Sequence, residues 1–145
     1  MAGQKEPRSV VDGQEVKRWI CAGLTWLRYH QEAINVLNVF PVPDGDTGTN
    51  MVLTMQSAWN EVAESPETHA GMVAHLIAHG ALMGARGNSG VILSQIWRGW
   101  ARGLDGKKVV TAMDLAEALQ EGCLLYTSDA ADDLLCVDLG GRRII

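Results

Sequence analysis

From Val16 the apolar residues Ile20, Leu24, Leu27, Ile34 and Leu37 return at helical intervals, with Trp19 and Trp26 beside them. A helix turns once every 3.6 residues, so this spacing lines one face and predicts a helix over 15–37. Pro41 and Pro43 forbid its continuation. A second helix is expected from Thr49 or Asn50 to Ala63, with Met51, Leu53, Met55, Ala58, Trp59 and Val62 as its apolar surface and a Thr or Asn as its N-cap. "SPET" breaks the chain, a third helix fits 69–83, and a fourth fits 89–104 after the linker "GARGNSG". "DGKK" turns the chain again, and Thr111 caps a fifth helix that carries Asp114 in its first turn. Only "VLNVFPV" hints at a strand, and its prolines demote it. The expected fold class is all-α, without internal repeats or low-complexity tracts.

Composition narrows the function classes. The 145 residues are 47% apolar, enough for one domain with a real core. Net charge is −5, and Lys and Arg are scattered rather than gathered in a stripe, which argues against nucleic acid as the main partner. The start, "MAGQKEPRSVVDGQEVKRW", has no uninterrupted apolar stretch of the kind a signal peptide needs, and no segment is apolar for long enough to span a bilayer. A cytoplasmic protein with a flexible segment over 1–14 is the expectation. The three cysteines, Cys21, Cys123 and Cys136, have neither CxxC nor metal-type spacing. Cys21, set among helical apolar residues, is expected to be a small buried hydrophobe.

The tail, "CLLYTSDAADDLLCVDLGGRRII", resembles the in-frame translation of a transposon-type sequencing adapter more than a protein segment. Cys123–Asp132 read as the end of such an adapter, and Val137–Ile145 as its remainder after a barcode-length gap. The competing reading is an ordinary amphipathic C-terminal segment. Residues 123–145 are accordingly set aside from fold reasoning as an adapter-derived artefact. The domain is then expected over 15–122, cut short near Gly122.

The chemistry is concentrated in two glycine-rich turns that each open onto a helix, "DGDTGTN" and "GARGNSG". The first amides of a helix lack intrahelical partners and the dipole there is positive, so an anion is favoured. Two such ends meeting in space would cradle a polyphosphate. Carboxylates beside a phosphate repel it unless a divalent cation lies between, and Mg²⁺ takes only one or two protein carboxylates while phosphates and water complete its shell. Asp44 and Asp46 therefore read as metal ligands, with Thr47, Thr49 and Asn50 as donors to phosphate oxygens. An EF-hand loop counted from Asp44 fails, because Thr49 and Met55 stand where a glycine and a carboxylate belong. A D-x-D phosphatase loop and a merely structural turn remain open. The former should follow a buried strand, and Pro43 sits where that strand would end.

"LNVFPVPDGDTGTNM" followed by "GARGNSGVILSQ" closely resembles the N-terminal nucleotide-binding domain of bacterial fatty acid kinases, larger relatives of the ATP-binding L subunit of dihydroxyacetone kinase. The resemblance covers 15–122. It implies an antiparallel all-helical barrel, incomplete here, whose loops at one end bind ATP through Mg²⁺. It also implies an ATP-dependent kinase acting on a fatty acid held by a separate fatty-acid-binding carrier protein. The alternatives are a glycerone phosphotransferase of the dihydroxyacetone kinase type and a non-catalytic nucleotide-binding fragment. Carried over by position, Asp44 and Asp46 match the metal-binding aspartates, and Asn38 stands for a third, more N-terminal acidic ligand, although "FPVP" shifts its spacing. Thr47, Gly48, Thr49 and Asn50 match phosphate-proximal positions, and Gly87, Asn88, Ser89 and Gly90 match the turn over the phosphates. The later segments of the adenine pocket have no counterpart, so this chain alone is expected to be inactive. A homodimer of the longer protein is left open.

The remaining candidates read blandly. His75 and His79 stand at i and i+4 but lack the HExxH pattern, so they read as packed or partly exposed histidines. Trp97 and Trp100 with Ile92 and Ile96 read as core. Arg86 reads either as a solvated loop residue or as a cation for transferred charge.

Overall fold

Asp12 opens the first helix by accepting the Glu15 N–H on its carboxylate at 3.0 Å. From there the computed structural model describes residues 9–141, with side chains described through Thr127. Its helices are α1 (Gly13–Tyr29), α2 (Gln31–Val36), α3 (Thr47–Val62), α4 (Ala70–Met83), α5 (Gly87–Gly103) and α6 (Ala112–Gly141). Among the described residues the β-type pairing is an isolated antiparallel bridge between Val11 and Val110. The all-α expectation holds. Of the N-terminal segment, 1–8 lie outside the described residues, Val11 is held by its bridge, and Gly13 and Gln14 already belong to α1.

The helix expected over 15–37 is two helices. His30 ends α1 and begins α2 with φ −97° and ψ 4°. Past Leu27 the apolar stripe has no core to cover, and Val36 and Leu37 are 76% and 77% exposed. The polar residues of the stretch decide its path instead, since Gln31 and Asn35 both bond to Thr49 of α3. α3 starts two residues before its expected first position, and its N-cap is Asp46 rather than a Thr or Asn. α5 likewise starts early, at Gly87 behind Arg86.

Short loops between α3, α4, α5 and α6 make consecutive helices antiparallel neighbours. α1 packs across α3 and α4. The core lies where their faces meet: Val16, Ile20 and Leu24 from α1, Met55, Ala58 and Val62 from α3, Val73 and Ile77 from α4, Trp100 from α5 and Ala118 from α6. A side chain such as Ile77, fully buried, contributes about 1.5–3 kcal/mol relative to exposure. Lys17 is also buried, and its Nζ donates to the carbonyls of Ala63 at 3.2 Å and Ser65 at 2.6 Å, a cation at the C-terminal end of α3 where the dipole is negative. Cys21 is exposed, against expectation, because the stripe Val16–Ile20–Leu24 turns it outward. Of the bland tryptophan cluster, Trp100 is buried while Ile92 is 38% exposed.

The fifth expected helix is α6, and its cap is the anticipated one. Thr111 Oγ1 accepts the Asp114 N–H at 3.2 Å, while Asp114 Oδ2 accepts the Thr111 N–H at 2.8 Å. Lys107 Nζ, 2.8 Å from Asp114 Oδ1, together with these Thr111 bonds holds the Asp114 carboxyl down at about 2. α6 crosses the Gly122–Cys123 junction without a break. An apolar cleft of about 300 Å³, lined by Trp19, Trp97, Trp100 and Leu119 among others, lies between α1, α5 and α6. Cys123 is exposed, and the side chain of Cys136 lies outside the described part. No helix among the described residues is long and apolar enough to cross a membrane.

Candidate functional site

The antiparallel order of α3, α4 and α5 puts the N-termini of α3 and α5 at the same end of the bundle. They touch there. Ser89 Oγ donates to the Thr47 carbonyl at 3.4 Å. One turn deeper, Thr54 Oγ1 donates to the Asn50 carbonyl at 2.8 Å and accepts the Arg86 N–H at 3.1 Å, so a single buried hydroxyl ties both helix starts together. Gly87 has φ +60°, and a Cβ on it would overlap the Asn50 side-chain amide, so only glycine permits this approach. The two turns singled out in the sequence are thus brought into contact, with Gly90 buried, Ser89 half-buried, and Gly87 and Asn88 exposed.

Gly45, at φ +63°, reverses the chain between Asp44 and Asp46. Both aspartates are exposed, and neither carboxylate has a hydrogen-bond or ion-pair partner among the described residues. For Asp46 this is unusual. An aspartate at an N-cap ordinarily accepts an amide of the first turn, but the Thr49 N–H donates to Asn35 Oδ1 at 3.1 Å instead. Asn38 Oδ1 takes the N–H groups of Asp46 at 3.0 Å and Thr47 at 3.2 Å, while Asn38 Nδ2 donates to the Val42 carbonyl at 3.2 Å. Two asparagines therefore cap α3 from upstream and leave the carboxylates at its mouth free. Asn38, expected among the metal ligands, has its amide oxygen engaged by two backbone donors in this arrangement.

Among the described residues no three His, Cys, Asp or Glu side chains gather into a metal cluster. Two free carboxylates beside two helix N-termini suit a hard cation that shares its shell with phosphate and water rather than one held by an all-protein cage. His75 and His79 go to separate partners, Asp105 at 3.1 Å and Glu61 at 3.4 Å, and form no joint site. Sequence reasoning missed Gln31, Asn35 and Thr54. The signal for the first two was their i, i+4 spacing, continued at Asn38, within a stretch read only for its apolar stripe.

The family model of the DAK2 domain matches residues 41–130, a stretch that contains both turns. The chain belongs to the DAK2 domain family. Its DAK2 match begins at Pro41, so the capping residues Asn35 and Asn38 precede it, and it runs past the Gly122–Cys123 junction to residue 130. Among proteins of the same kind, Protein YloV of Bacillus subtilis is 48% identical over 112 residues, covering 77% of this chain and 20% of that protein. An uncharacterized protein of Staphylococcus saprophyticus is 43% identical, and one of Staphylococcus epidermidis 42% identical, each over 114 residues covering 79% of this chain and 21% of the relative. This DAK2-domain chain therefore spans about a fifth of the length of the curated relatives it matches.

Proposed function

We propose that this chain is the Mg–ATP-binding part of a cytoplasmic kinase that phosphorylates a fatty acid carboxylate presented by a separate fatty-acid-binding protein. The observation that carries the nucleotide reading is the meeting of the α3 and α5 N-termini beside two carboxylates that the protein itself leaves without partners. DAK2 membership supports the kinase class, and the motif resemblance supports the fatty acid acceptor.

Asp44 and Asp46 would hold Mg²⁺. When bound, the ion would supply positive charge to offset the negative charge that builds during phosphoryl transfer. The side-chain donors of the turn Thr47–Asn50 and the amides that open the turn Gly87–Gly90 would fix the phosphates, so positioning and electrostatics would supply most of the catalysis. No general base is needed, because a fatty carboxylate is already ionised at neutral pH.

Asp46→Asn tests the reading. The change keeps volume and removes one of the two proposed ligand charges, and at an exposed position it should cost the fold no more than about 0.5 kcal/mol. Calorimetric affinity for Mg–ATP should fall at least tenfold while the melting temperature stays put. Unchanged affinity would remove Asp46 from the metal site.

A further inference from the structure

Thr49, half-buried in the first turn of α3, accepts two hydrogen bonds on its hydroxyl oxygen, from Gln31 Nε2 at 3.0 Å and from Asn35 Nδ2 at 3.0 Å. The orientation of the Asn35 amide is set by a third bond: the Thr49 N–H donates to Asn35 Oδ1 at 3.1 Å, so the nitrogen has to face the hydroxyl. A threonine hydroxyl has two lone pairs and one proton. Both lone pairs are occupied, and among the described residues nothing accepts the proton. α2 is pressed against α3 at the same place, since a Cβ on Gly48 would overlap the Gln31 carbonyl oxygen. The arrangement is therefore closely built rather than a chance contact of long side chains.

An ordinary threonine can accept or donate as its ligand requires. This one can only donate. It sits in the helix turn that meets Ser89 of α5, next to the free carboxylates. We propose that Gln31 and Asn35 are positioning residues that lock the Thr49 hydroxyl as an obligate donor to a phosphate oxygen of the bound nucleotide. Such an oxygen accepts hydrogen bonds, which is the one thing the locked hydroxyl can satisfy. The inference rests on the Mg–ATP reading of the site and assigns to α2 a part in ligand selection beyond capping α3.

The test is calorimetric titration of Mg–ATP into the full chain and four variants: Thr49→Val, Thr49→Ser, Asn35→Asp, and Asn35→Asp combined with Thr49→Val. Asn35→Asp keeps an oxygen for the Thr49 N–H but turns the nitrogen into a second acceptor, which captures the hydroxyl proton. Thr49→Val and Asn35→Asp should each weaken binding roughly ten- to hundredfold, the range of one hydrogen bond to a charged group. Thr49→Ser should restore affinity to within a few-fold of the unchanged chain. In the valine background Asn35→Asp should add almost nothing, because its effect runs through the hydroxyl. An equal loss from Asn35→Asp in both backgrounds would mean that its charge alone repels phosphate, and would overturn the proposal, as would full affinity in Thr49→Val. Should Asn35→Asp lose its helical circular dichroism, Gln31→Glu makes the same reversal from the other side and is judged in the same way. Failure of the unchanged chain to bind Mg–ATP overturns the site reading and this proposal with it, whereas binding that is indifferent to Thr49 overturns the proposal alone.

Discussion

At the level of single residues, polar atoms decide what the apolar pattern leaves open. Lys17 falls on the buried side of α1, a position that periodicity alone would give to an apolar residue, and it is tolerated because two carbonyls at the end of α3 receive its ammonium. Lys17→Met keeps the chain length, removes the cation and leaves both carbonyls without their donor. Urea unfolding should show a loss of about 1.5–3 kcal/mol, the value of hydrogen bonds made by a charged group; a loss below about 0.5 kcal/mol would mean that water replaces the ammonium at no cost. The aspartates Asp44 and Asp46 were legible as a pair because two adjacent like charges in a turn need a reason. Their freedom from the capping duty was not legible, since it depends on Asn35 and Asn38, whose side chains arrive from another helix and its following loop.

At the level of elements, helix existence was legible and helix ends were not. Apolar spacing located α1, α3, α4, α5 and the start of α6, because each buries one stripe against its neighbours. It merged α1 with α2, since Ile34 and Leu37 keep the period after the core has ended, and period alone carries no information about what lies opposite. The α6 cap was legible because Thr111 and Asp114 are three residues apart and satisfy each other locally. Its pH dependence follows. The folded Asp114 carboxyl, held at about 2 by Lys107 and Thr111, binds a proton more weakly than the same group in the unfolded chain, near 3.9. Its contribution is therefore fully present above about pH 4 and is lost as pH falls toward 2. Unfolding midpoints of the unchanged chain and Asp114→Asn, compared at pH 6 and pH 2.5, should differ at the first and differ much less at the second. A difference that does not change with pH would mean that the charge of the Asp114 carboxylate is not what the cap uses.

At the level of the whole molecule, the described helices form a frame whose one end carries the proposed site. The described helices stack so that the starts of α3 and α5 meet, which the sequence permitted but could not require: two glycine-rich helix starts announce two anion-friendly ends, and only the up–down order of the helices brings them together. Every residue of the proposed site lies between Gln31 and Gly90 in the sequence, none of them within 123–145. A chain ending at Gly122 should accordingly bind Mg–ATP with the affinity of the 145-residue chain, whereas a large loss on removing the tail would show that α6 beyond Gly122 supports the site. The most direct test of the central claim is the thermal melt of the full chain with ATP alone, with Mg²⁺ alone and with both. If the free carboxylates and the two helix starts hold Mg–ATP as proposed, the cation and the nucleotide bind as a pair, so the two together should raise the melting temperature by several degrees in proportion to the logarithm of their concentration, and either alone should raise it far less. An equal shift with ATP in the presence of a chelator, or no shift with the pair, would contradict the account.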